Sequence, residues 1–241
     1  MEHVFFTPFK GSNYDQGICG KKVLVLGASF YCNQDGKNGR PKCKYFEECT
    51  DPEKKDSSKF NEICPCYVNM EEQTTLKQEP TNSVWSYMRA YKNFAKVLYP
   101  FLDNIERPDG WCDYDIVWER VAFTNYVQFF LPTKDTYQYY LSKRDFDAFC
   151  ENLKVLKPNV VIAWGVAISE ELCGNNPFVS KDEIKRLPDS DYYVWHMRLH
   201  EVPHDITIIN CYHPSSKKWN DEEDRNLFVK YLHEIFDNNK I

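Results

Sequence analysis

No apolar run in this chain approaches the roughly 18 residues that a membrane-crossing helix needs. The opening residues, Met1-Glu2-His3, are not followed by a basic segment and an apolar core, so they do not read as a secretory leader. The expectation is a soluble, cytoplasmic protein with no membrane partner. A basic excess is missing too: 30 Lys and Arg stand against 36 Asp and Glu, for a net charge of -6. That excludes a surface coated in positive charge. It leaves room for a local basic cleft, because nucleic-acid affinity depends on where the cations lie. Internal repeats are absent.

The ten cysteines lack the spacing of a zinc site. Cys32, Cys43, Cys49, Cys64 and Cys66 crowd one window, separated by ten, five, fourteen and one residues. Zinc sites usually present two sulfurs from one tight turn, across roughly two to four intervening residues. Cys19, Cys112, Cys150, Cys173 and Cys211 are scattered. Without a leader, disulfides are the weaker reading. Free thiols are the default, no cofactor is expected, and a metal in the Cys-rich segment is the alternative.

What is present is an alternation of elements. A 42% hydrophobic and 16% aromatic share over 241 residues can build a sizeable core. Lys22–Gly27 and Asn159–Gly165 are apolar runs ending in glycine, the pattern of strands buried on both faces. Ile206–Asn210 is a third. Ile116–Phe130, with "VAFTNYVQFF", reads as a strand running into a loop. Helices are expected after Pro80 (capped by Asn82 or Ser83 and running to Leu102), over Arg144–Leu156, over Val166–Cys173, and over Asp221–Phe236. "YYVWHMRLH" alternates like a strand, which separates His196 from His200. Residues 33–80 hold many prolines, glycines and charges with little periodicity, and read as an insertion or lid. The whole, 1–241, reads as one α/β domain with a mostly parallel sheet. In such sheets, functional loops gather outside the carboxyl ends of the strands. Four loops qualify: Gly27–Cys32, Thr124–Tyr126, Trp164-Gly165 and Tyr212–Ser216.

With "LVLGASFYC", "VAFTNYVQFF", "VVIAWGVA" and "IINCYHPSS" in that order, the chain resembles a divergent member of the uracil-DNA glycosylase superfamily. The resemblance spans roughly residues 22 to 237. It implies a three-layer sandwich with a central, mostly parallel four-stranded sheet, here carrying a Cys-rich insertion after the first core strand. It also implies cleavage of the N-glycosidic bond of uracil or another altered base flipped out of DNA. Carried over by position, His213 would be the electrophilic partner of the base and Asn125 would read its Watson–Crick edge. Phe30 or Tyr31 would stack on or fence the base. Ser215, Ser216, Lys217 and Lys218 would meet phosphate.

The departure is at Ser29. The family places an aspartate or asparagine there to orient water, and a serine is a poor base without a partner. Phe30 also replaces the loop's proline. Asp15 and Asp35 lie near this loop in sequence. Plain structural roles stand beside these: His213 in a turn, Asn125 pairing a bend, Ser29 capping a following helix, Phe30 and Tyr31 in the core, Trp164 as packing, and Lys217-Lys218 as a solvated pair. Three functions follow: a glycosylase-like hydrolase, a binding module that lost the acid, or a protein-interaction module.

Overall fold

The computed structural model describes residues 2–4, 6–31, 36–39, 41–44, 88–102, 114–128, 130–131, 143–165, 172, 184–188 and 190–237. Their strands are β1 (Phe9–Lys10), β2 (Val23–Gly27), β3 (Phe30–Tyr31), β4 (Val121–Asn125), β5 (Phe130–Leu131), β6 (Val160–Trp164), β7 (Lys185–Arg186), β8 (Tyr193–Met197) and β9 (Ile206–Cys211). Their α-helices are α1 (Met88–Leu98), α2 (Tyr114–Glu119), α3 (Lys143–Leu156), α4 (Lys217–Asn220) and α5 (Glu222–Asp237).

The sheet has seven strands in the order β1-β4-β2-β6-β9-β8-β7, with β3 and β5 forming a separate parallel pair. This corrects the expected four-stranded sheet. Four parallel strands, β4-β2-β6-β9, form the middle, and antiparallel strands extend both sides. The reason for β8 is its connection. Only residues 198–205 separate it from β9, and a link that short permits a hairpin but no crossover.

Every residue of β2, β4 and β6 is buried. Strands covered on both faces read as unbroken apolar runs. One face packs Tyr91, Phe94 and Leu98 of α1, Trp118 of α2, and Phe228, Leu232 and Ile235 of α5. The other packs Phe149, Leu153 and Leu156 of α3. Helices on both faces make an α/β sandwich.

Ile116 was expected to lie in a strand, but it lies in α2. Its neighbours Val117 and Trp118 are both buried, and packing against α1 and the sheet overrides their β-propensity. Asn82, Ser83, Asp35 and most of Val166–Cys173 lie outside the described residues, as does most of the 33–80 insertion. Among the described residues no helix is long and apolar enough to cross a membrane.

Candidate functional site

Parallel strands bring their carboxyl ends to one edge. Gly27 is in register with Asn125, and Trp164 with Cys211. Phe123 and Trp164 belong to the cluster on the α1/α5 face. Asn125, two residues beyond Phe123, points to that same face. At about 4.8 Å per strand spacing, Asn125 and the start of the loop after β9 are about 14 Å apart. Gly27 and Trp164 lie between them.

Asn125 is 4% exposed. Its backbone carbonyl accepts from Gln128 Nε2 at 2.7 Å. Its carboxamide makes no hydrogen bond with any described residue. Gly27 makes room for that group: a Cβ on Gly27 would lie 2.4 Å from Asn125 Oδ1 and 3.0 Å from the Phe123 ring. Glycine is needed here for close approach and not for an unusual backbone angle. The loops are tied to each other as well. Tyr126 N–H donates to Gly27 O at 2.9 Å, and Val127 N–H to Ala28 O at 3.0 Å. Gln128 braces the turn: its N–H donates to buried Asp145 at 3.0 Å, and its Oε1 accepts from Phe6 N–H at 3.0 Å.

His213 is half-buried. Its ring meets Trp164 edge-on at 5.7 Å between centroids. The Ser215 backbone N–H donates to His213 Nδ1 at 3.2 Å, and Ser215 Oγ lies 2.8 Å from the same nitrogen. A backbone N–H can only donate, so Nδ1 is an acceptor, and the neutral ring carries its proton on Nε2. Burial holds the imidazole below its usual pKa, which disfavours the charged form. The loop thus presents a neutral Nε2–H donor.

The two serines work within the loop. Ser215 holds the ring, and Ser216 Oγ caps α4 by accepting Trp219 N–H at 3.1 Å. Asn93 of α1 clamps the turn from behind, donating to Pro214 O at 3.1 Å. Lys217 is exposed. Lys218 is 3.6 Å from Asp224 and lies 5.7 Å from the Tyr212 ring centroid.

The first loop differs from its expected role. Ser29 is followed by β3, so it caps no helix, and its hydroxyl donates to Phe30 O at 3.0 Å. Phe30 packs edge-on against Phe6 at 4.8 Å. Tyr31 packs against the α3-side cluster, across the sheet from Asn125 and Trp164. Asp15 pairs with Lys10 and Lys22 at 2.9 and 2.8 Å. Lys22 precedes β2, so Asp15 belongs to the opposite end of the strands from the four loops.

Trp164, read from sequence as packing, does pack in the core. It is 3% exposed and touches Tyr91, Phe94 and Phe123 at 5.4, 5.0 and 5.5 Å. Its buried indole N–H has no acceptor among the described residues. Neither this vacancy nor the Gly27–Asn125 contact has a local sequence signal; "WG" and "TN" at strand ends only marked the places.

Cys211 is fully buried, and burial raises its thiol pKa well above the usual value. It stays protonated and is no nucleophile. Cys43 and Cys19 are half-buried free thiols and Cys150 is a buried one; Cys32, Cys49, Cys64 and Cys66 lie outside the described residues. Among the described residues no group of three or more His, Cys, Asp or Glu side chains is placed to hold a metal. The chain matches no protein-family model and no curated protein.

Proposed function

We propose that the carboxyl edge of the parallel strands receives a nucleobase flipped out of DNA, and that the protein is a glycosylase-like hydrolase acting on uracil or another altered base. The observation that carries this is the Asn125 carboxamide. The residue is 4% exposed and its carboxamide has no described partner, so both its N–H groups and its oxygen are open to a ligand. A carboxamide offers a donor and an acceptor side by side, which suits a base edge.

His213 supports the chemical half of the reading. In N-glycosidic cleavage the C1′–N bond breaks and its electron pair moves onto the base. A preorganised neutral donor stabilises the oxygen where that charge gathers. Water then adds to the sugar carbon and releases its proton to solvent. His213 Nε2–H is such a donor. Ser215 positions the ring, and exposed Lys217, next to Ser216 in the chain, is proposed to meet a phosphate. Phe30 is proposed as a fence of the pocket and not as a stacking platform; Tyr31, on the α3 side, has no part in it.

A second reading has an observation behind it. Ser29 carries a hydroxyl that donates to a neighbouring carbonyl, so it is a poor activator of water. A module that binds a base without cleaving it fits that. The experiment is base release from uracil-containing single-stranded and duplex DNA, with His213→Ala and Asn125→Ala beside the wild type. Release by the wild type, lost in both variants, is the expected result. If the wild type binds such DNA but frees no base from any altered substrate, the hydrolase reading fails and the binding module stands.

A further inference from the structure

Behind the His213 turn is a cavity of about 440 Å³ between α1, α4 and α5. Its wall includes Lys96, Arg225, Asn93, Asn220, Val97 and Trp219. No carboxylate is among the described residues of its lining. Lys96 Nζ lies 6.0 Å from the Tyr114 ring centroid and makes no ion pair with a described residue. The Arg225 guanidinium likewise has no described partner. Asp221, one turn before it, spends Oδ1 on the N–H groups of Glu223 and Asp224 at 3.0 and 3.3 Å. Some cations elsewhere are matched (Lys10 and Lys22 with Asp15, Lys154 with Glu201, Arg198 with Asp205); what sets Lys96 and Arg225 apart is that the two line one cavity.

The amides add donors. Asn93 donates to Pro214 O and Asn220 to Ser216 O at 2.9 Å, and each Nδ2 keeps a second N–H. Trp219 and Val97, both buried, form an apolar wall that lowers the local dielectric and strengthens attraction to an anion. We propose that this cavity binds a phosphate group, specifically a backbone phosphodiester of the strand whose base enters the site. The choice of a strand rests on the function proposed above. The same side chains that wall the cavity hold the Pro214–Ser216 turn, so a phosphate here sits directly behind the His213 loop.

The test compares two double variants of the full chain, Lys96→Ala/Arg225→Ala and Lys143→Ala/Lys154→Ala. The second removes equal charge from α3, on the other layer. Binding of single-stranded DNA is read by fluorescence anisotropy between 50 and 200 mM salt. The log–log salt slope should fall by about 0.7 for each cavity cation lost and stay unchanged in the α3 variant. Equal slopes in both variants, or no wild-type binding at low salt, overturn the proposal. Inorganic phosphate is titrated separately, with the Trp219 and Asn220 amide resonances as readout. Shifts there with an unchanged DNA slope overturn the strand assignment and leave a free-phosphate site. Base release, assayed on the same samples, separates the two claims. A cavity-dependent slope without release keeps this inference and removes the hydrolase, whereas release with an unchanged slope does the reverse.

Discussion

Asn159 and Asn125 sit at opposite ends of the same parallel strands and have opposite fates. Asn159, just before β6, accepts Lys22 N–H on Oδ1 at 2.9 Å, and its backbone bonds Lys22 O and Thr207 N. That end of the sheet is closed by pairing: Asp15 is held by Lys22 and Lys10, which keep its carboxyl below the usual range, and His204 Nε2 lies 3.1 Å from Pro158 O. At the other end the Asn125 carboxamide and the Trp164 indole have no described partner, and the His213 ring is locked into one tautomer. Folding satisfies polar groups wherever it can. Trp195 of β8 and Asn152 of α3 also bury side-chain polar atoms without a described partner. What sets the carboxyl edge apart is that its open groups stand beside the His213 loop, and the proposed function takes them as held for a ligand.

The sharpest break in this contrast is between the two histidines. His213→Ala is expected to lower base release by about 10²–10³-fold, the usual cost of losing one preorganised donor. His204→Ala should leave it unchanged, and equal losses in single-turnover assays would sink the contrast. Next come the asparagines. Asn210 Oδ1 accepts Tyr193 N–H at 2.6 Å and its Nδ2 donates to Asp191 O at 3.1 Å. Asn210→Ala should therefore cost about 2 kcal/mol by urea denaturation. Asn125→Ala, which removes an unpaired group, should leave stability unchanged or raise it; a loss as large as that of Asn210→Ala would show Asn125 to be structural.

Gly27→Ala tests the contact that sets the carboxamide. The added methyl must displace Asn125 Oδ1, at an overpacking cost of about 1–3 kcal/mol. Part of that cost should vanish in the Asn125→Ala background, and a strictly additive double-mutant cycle would contradict it. The smallest effect is in pH. Because burial lowers the folded pKa of His213 below its unfolded value, its protonation favours unfolding. Stability should be fully present above the usual imidazole range and decline as pH falls from there toward the folded pKa. The folded pKa is followed by the His213 Cε1–H resonance. A folded pKa at or above the usual value would show that the ring is not held neutral.

The middle of the sheet was legible because burial on both faces writes an unbroken apolar run. "VLVL", "VVIAW" and "ITII" all became central strands. The edges were not: β1 and β7 are two residues long, too short for any period. The α2 segment misled because β-branched and aromatic residues also suit a short buried helix. The site was legible by position at its four loops. The roles within it were not. Tyr31 turned to the far layer, Ser216 became a cap, and Ser29 led into a strand.

By itself, then, the sequence determined a parallel α/β framework with "GAS", "TNY", "WG" and "YHPSS" at the ends of its strands. Strand burial and chain order are local properties, and they can be read along the chain. Only the tertiary structure decided that Asn125 would lie over Gly27 without a partner while Asn159 and Asn210 found theirs. Whether a polar group is satisfied depends on neighbours brought in from elsewhere in the chain, and no stretch of sequence contains its own neighbours.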